Sequence, residues 1–248
     1  MKRCTVWTMA LLMTWTVLAG GSALAEDGLA KGASASAGVF SNYVWRGMKL
    51  SDKAVVQPSA GITYGGFGAS LWANYDTDIQ EHTETDLTLS YGHGFGPLSV
   101  DLGYIYYALD GFDDTQEVYV KIGYDILLNP SLTYYHDFDQ GDGGYLVAAI
   151  GHTFELGGDI TLGLGASASM NLKNAVLGTD KNGEEFSDFY NGEVSASLSV
   201  PVYDAISLGV LVAYTFPLSD DGENAIESLS VDRDSDILYG GVTVSIAF

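Results

Sequence analysis

Apolar and polar residues alternate along this chain in stretches of roughly the length that a tilted membrane strand needs, ~9–11 residues. From Ala33 onward about twelve such stretches follow one another. In the last, Leu238, Gly240, Val242, Val244 and Ile246 share one register, and Tyr239, Gly241, Thr243, Ser245 and Ala247 share the other. Val118, Val120, Ile122, Tyr124 and Ile126 interleave in the same way with Glu117, Tyr119, Lys121, Gly123 and Asp125. So do Ile160, Leu162 and Leu164 with Thr161, Gly163 and Gly165, and Val194, Ala196 and Leu198 with Glu193, Ser195 and Ser197. Successive side chains of a strand point to opposite faces, so each stretch has one apolar face and one small or polar face. That pattern serves equally a half-buried strand of a soluble sandwich and a strand with lipid on one side.

The separators decide between the two. Tight turns at Gly65-Gly66, Gly94 to Pro97, Leu128 to Pro130, Gly157-Gly158 and Tyr203-Asp204 alternate with longer polar loops. The loops are Lys49 to Ala54, Thr77 to Thr83, Asp110 to Thr115, Asp139 to Gly143, Asn171 to Phe186 and Pro217 to Asp234. Short turns at one end and long loops at the other are the asymmetry of a membrane barrel, with the turns periplasmic. The expected fold is therefore all-β, a transmembrane antiparallel up-and-down β-barrel of about 12 strands. Tyr43, Trp45, Tyr75, Tyr106, Tyr134 and Phe216 stand near strand ends, where aromatic girdles lie.

Composition adds the compartment. Lys2 and Arg3, an apolar run from Cys4 to about Gly20, and Ala23 and Ala25 at small-residue cleavage positions read as a signal peptide over residues 1–25. Residues 26–248 then form a single outer-membrane barrel domain in the bacterial outer membrane. The only cysteine, Cys4, leaves with the signal peptide, which removes disulfides and thiol chemistry from the mature chain. No later apolar run approaches the ~20 residues of a spanning helix, so insertion must be by strands. A formal charge of −22 excludes nucleic acid as a partner. The expected partners are outer-membrane lipid and lipopolysaccharide, the barrel-assembly machinery and small-molecule solutes, with no cofactor.

Two resemblances sharpen this. An alternating strand ending on Phe248 resembles the closing strand of bacterial outer-membrane β-barrels, which implies an assembly signal comprising Phe248, Ile246 and Val244. The hairpin from Ser41 to Tyr64 contains Tyr43, Trp45, Arg46 and Gly47. It resembles a family of proteobacterial outer-membrane proteins of unknown function, whose first strand reads Y-x-W/F-R-G. Lys49 stands where that family usually has threonine or serine, and Pro58 where glycine is common. The resemblance implies location and fold and supplies no substrate.

With Tyr43 and Trp45 facing lipid, Asn42, Val44 and Arg46 would face the lumen. The candidate lumen-lining and constriction residues are then Arg46, Asp86, Asp101, Glu117, Lys121, Asp125 and Glu193. Such a network can set ion selectivity or simply brace the interior. Inward positions near the carboxy end are mostly Gly, Ser, Thr and Ala, too small to fill a twelve-stranded barrel. The expectation is a narrow, porin-like passive channel for small solutes, with cations favoured. A structural or surface-interaction barrel without transport is the alternative. A rim-site hydrolase is third. Asp76, Asp78, His136 and Asp137 resemble in outline the rim site of outer-membrane aspartyl-type proteases, yet Tyr134 stands where those have an aspartate two residues before the histidine. No enzyme activity is expected. His82, His93, His136 and His152 lack paired ligand spacing, so no metal site is expected.

Overall fold

The computed structural model describes residues 31–248; the signal peptide expected over residues 1–25 lies outside them. In chain order the strands begin with β1 (Lys31–Phe40), the short pair β2 (Val44–Trp45) and β3 (Met48–Lys49), β4 (Val55–Tyr64) and β5 (Phe67–Asp76). They continue with β6 (Glu81–Phe95), β7 (Leu98–Leu109), β8 (Thr115–Tyr124), β9 (Ser131–Asp137) and β10 (Gly143–Gly157). After β11 (Ile160–Leu172) and a 3-10 turn over Ala175–Leu177 come β12 (Ser187–Tyr203), β13 (Ile206–Pro217), the helix α1 (Asp220–Leu229) and β14 (Ile237–Ala247).

All strands but β2 and β3 form one closed antiparallel barrel, each pairing with its sequence neighbour, and β1 completes the ring by pairing with both β4 and β14. Turns are tight at one end: Gly65 and Gly66 carry φ of 58° and 86°, the two left-handed residues that a type I′ hairpin turn requires. The barrel thus matches the expected fold and strand number.

Alternation sorts the side chains as the two faces demand. Leu71, Leu89, Leu102, Val118, Ile122, Leu164, Val194, Val210, Val242 and Val244 are exposed on the outside. Asn74, Glu84, Asp86, Thr88, Ile105, Tyr107, Glu117, Tyr119, Thr133, Tyr135, Tyr145, Ser169, Asn191, Thr215 and Tyr239 are buried inside. An apolar outer wall around a polar interior inverts the soluble pattern. His152 and His93, both outward near the turn end, pack edge-on against Phe154 and Phe95 with ring centroids 4.6 Å apart in each case.

Three expectations are corrected here. The first barrel strand is Lys31–Phe40, not the Ser41 segment, and Tyr43 and Trp45 do not face lipid. They sit on the β2–β3 hairpin, which folds into the lumen at the loop end and leaves Tyr43 only 4% exposed. Two-residue strands are far too short to span a bilayer, and in protein-lined surroundings their alternation carries no information about lipid. The Pro217 to Asp234 loop contains α1, whose Ala225 and Ile226 are buried. The interior is therefore not left open along its length: hairpin and helix fill its loop half, whereas small residues line the turn half. Lastly, Asp125 is exposed in the β8–β9 turn, its backbone N–H donating to the Pro97 carbonyl at 2.7 Å, because β8 ends at Tyr124 and alternation ends with it.

Candidate functional site

The plug is built around a two-residue turn. Arg46 and Gly47 have φ of 49° and 86°, so Trp45 to Met48 make a type I′ hairpin turn with an arginine where asparagine or aspartate is usual. A non-glycine residue in the left-handed region costs about 1–2 kcal/mol, and here the side chain offsets it. The Arg46 guanidinium meets Glu117 on β8 in a two-pronged ion pair, Nη1 to Oε1 at 2.8 Å and Nη2 to Oε2 at 2.6 Å. The Tyr107 hydroxyl donates to the same carboxylate at 2.9 Å, and Glu117 is 0% exposed. Three rings surround the cation, with centroids 4.5 Å away for Trp45, 4.9 Å for Tyr135 and 4.4 Å for Tyr145. Planar guanidinium suits such a site, because it stacks on ring faces while its edge grips both carboxylate oxygens.

Around this pair the hairpin touches most of the wall. The Tyr43 hydroxyl donates to Glu84 on β6 at 2.7 Å, and its ring lies 5.5 Å from that of Trp72 on β5. Val44 joins an apolar cluster with Phe40, Leu211, Ala213, Ile237 and Tyr239 from β1, β13 and β14. On the other side, Tyr145 donates to Asn191 Oδ1 at 2.9 Å, while Asn191 Nδ2 donates to Thr215 at 3.1 Å. Helix α1 closes the loop end. Ser219 caps its first turn, accepting from the Gly222 N–H at 3.0 Å, as the preference for serine at this position predicts. Behind it, Val231 N–H donates to the Lys49 carbonyl at 2.9 Å, and Lys49 Nζ pairs with Asp232 at 2.5 Å.

Gly47 is closely seated against the wall and the helix. A Cβ there would lie 3.0 Å from Asn191 Cβ and 3.2 Å from Ile226 Cδ1, in a backbone conformation that L residues avoid. Gly47→Ala should lower barrel stability by about 1–2 kcal/mol. Gel-monitored thermal unfolding reads this, and an unchanged midpoint refutes the tight seat.

Of the residues expected in the lumen, the structure brings Arg46 and Glu117 together, and among the described residues Arg46 has no other ion-pair partner. Asp86 is buried on β6 beside Glu84. Asp101 accepts from the Tyr119 hydroxyl at 2.7 Å and faces Lys121 across the β7–β8 pair. Glu193 accepts from the Tyr239 hydroxyl at 2.8 Å. A constriction in which Arg46 approaches Asp101 and Asp125 is not formed. A cavity of ≈ 70 Å³ lies beside the turn, lined in part by Arg46, Lys121, Asn191 and Glu193. The ring residues Tyr107, Tyr135 and Tyr145 were missed by sequence reasoning. Their signal was available, since each is a tyrosine on the inward register of its strand, where small or charged residues are the rule.

The rim-hydrolase arrangement does not assemble. Adjacent on β9, His136 points outward, its ring stacked 6.4 Å from that of Tyr134, while Asp137 points inward and accepts from Thr115 at 2.7 Å. Asp76 and Asp78 lie at the end of β5, which three strands separate from β9 in the ring, and Asp78 pairs with Lys53.

A closed antiparallel barrel with an apolar outside and a polar, internally plugged lumen defines the class: an outer-membrane-type β-barrel. No family model matches the chain, and no curated protein matches it. Among solved structures the NanC porin aligns over 87% of this chain and 98% of its own, with 14% identity and a TM-score of 0.52. OmpF of Salmonella typhi, solved with daunomycin, and an anion-selective porin from Comamonas acidovorans align over 89% of this chain, at 9% and 10% identity and TM-scores of 0.41 and 0.38. They cover 97% and 99% of those chains. At such identities the likeness to the NanC porin is one of fold.

Proposed function

We propose that the chain is an outer-membrane channel for small solutes, held closed at rest by its own first loop. One observation carries this reading: the β2–β3 hairpin crosses the loop half of the lumen, while Gly163, Ser167, Ser197, Gly209, Thr243 and Ser245 line the turn half with little bulk. Twelve strands enclose more space than side chains of that size fill. Lumen carboxylates outnumber lumen cations, so the opened path favours cations.

The same reading places the loops outside the cell and the turns in the periplasm, with lipid and lipopolysaccharide against the apolar wall. It assigns insertion to the barrel-assembly machinery after removal of residues 1–25. The Y-x-W-R-G resemblance fits it, because Tyr43, Trp45, Arg46 and Gly47 are the residues that seat the plug.

Planar-bilayer recording tests the proposal. Wild-type protein should be silent or open rarely. Replacing residues 42–51 with a short Gly-Ser linker should give steady, cation-selective steps. A correctly folded but silent linker variant would establish the scaffold reading instead, and steady wide conductance in the wild type would refute closure at rest.

A further inference from the structure

The partners of Arg46 belong to two different parts of the molecule. Trp45 rides on the hairpin, but Glu117, Tyr107, Tyr135 and Tyr145 belong to β8, β7, β9 and β10, four consecutive staves of the wall. If the hairpin withdraws, those four stay where they are. What stays is a carboxylate with both oxygens aligned for a planar fork, one of them also held by the Tyr107 hydroxyl, and beside it two tyrosine rings that adjoin the place of the cation. With its cation gone, this carboxylate still presents both oxygens at the wall for charge-assisted hydrogen bonds, so the half-site favours a positive ligand. Its shape states which kind. Two parallel N–H···O bonds of 2.8 and 2.6 Å suit a guanidinium or amidinium edge, whereas a compact ammonium cannot make both. Tyrosine faces within 5 Å attract a flat, weakly hydrated cation. The ≈ 70 Å³ cavity is lined by Arg46, Tyr107, Tyr135 and Tyr145 among others, and it adjoins the box from within the lumen.

We infer that Glu117, Tyr107, Tyr135 and Tyr145 form a binding site for solutes bearing a guanidinium group, and that Arg46 occupies it at rest as an internal ligand. An incoming guanidinium replaces Arg46 contact for contact, so it loosens the plug from the wall without leaving Glu117 unpaired. The assignment of this ligand as a transported solute rests on the channel reading; the site itself does not.

Methylguanidinium is the probe, with tetramethylammonium as a cation of similar size that cannot form the fork. In refolded Arg46→Ala protein the box is vacant, and millimolar methylguanidinium should raise the unfolding temperature saturably. Tetramethylammonium should bind about tenfold more weakly or worse. The effect should vanish in Arg46→Ala/Glu117→Gln, which also controls for general denaturing action. Arg46→Gln keeps the aliphatic stem and replaces Arg46→Ala if the latter does not refold. Equal responses of the single and double variants, or no preference over tetramethylammonium, overturn the site. The two proposals fail separately. Binding without conductance in the linker variant retains the site and refutes the channel. Conductance that methylguanidinium does not reduce, in a barrel that does not bind it, retains the channel and refutes the site.

Discussion

Glu117→Ala should release the plug. It removes the only ion-pair partner that Arg46 has among the described residues and leaves a guanidinium in a lumen where Glu117 itself is fully buried. Losing one partner of a buried pair costs about 3–5 kcal/mol, far more than the pair contributes net of desolvation. The strained left-handed backbone at Arg46 then has only the ring contacts of Trp45, Tyr135 and Tyr145 to offset it. The hairpin should leave the wall, and cleavage after Arg46 by trypsin, followed by mass spectrometry, should accelerate by two orders of magnitude or more, since every ~1.4 kcal/mol is tenfold. Replacing both members by methionine removes that cleavage site, so protection is read at Lys49, the hairpin's other tryptic site; it should return to the wild-type rate there, because apolar residues of similar volume satisfy a buried site that a lone charge cannot. Equal cleavage rates in wild type and Glu117→Ala would show that the apolar contacts of Val44 and Tyr43 hold the hairpin without the pair.

A second large effect is expected on the outer wall. Val242 lies midway along β14 on the outside, 53% exposed, opposite Val39 and Val210. A lysine there at mid-membrane depth costs about 2–4 kcal/mol. Ser245 is on the inward register of the same strand, opposite Ser36 and Ser207, where the lumen is lined by small residues. Val242→Lys should therefore cut the yield of folded, membrane-inserted protein severely, while Ser245→Lys should be nearly neutral. Similar yields for the two variants would show that the outward face of β14 does not meet lipid.

The barrel was legible because its signal repeats. Twelve alternating stretches each state the same two faces, and the turns state which end is which. The plug was not, for three local reasons. Tyr43 and Trp45 alternate with Val44 and Arg46 as strand residues do, and alternation cannot say whether the surroundings are lipid or protein. Arg46-Gly47 is an uncommon pair for a type I′ turn, so the reversal that detaches the hairpin from β1 left no familiar mark. Lys31–Phe40 is rich in Gly, Ala and Ser, and its weak apolar face made the stretch after it look like the first strand. Helix α1 could have been found: Ser219 followed by Asp220, Asp221 and Glu223 is an N-terminal signature, with Ala225, Ile226 and Leu229 on one side. Arg46 was singled out by its rarity among so many acids. Its partner was not fixed by that, because register alone placed several carboxylates within reach.

The ring closes where β1 meets β14, and the two covers of the lumen are tied to that seam. The hairpin follows β1 directly, and α1 directly precedes β14. The bonds between Lys49 and the Val231–Asp232 segment, almost two hundred residues apart in the chain, join the covers above it. Until the final strand docks on the first, the hairpin has a floor of tyrosines but no roof, and Val44 lacks the β13–β14 side of its cluster. Full seating of the plug therefore needs the seam closed, because the roof over Lys49 and the β13–β14 side of the Val44 cluster come only with that last pairing.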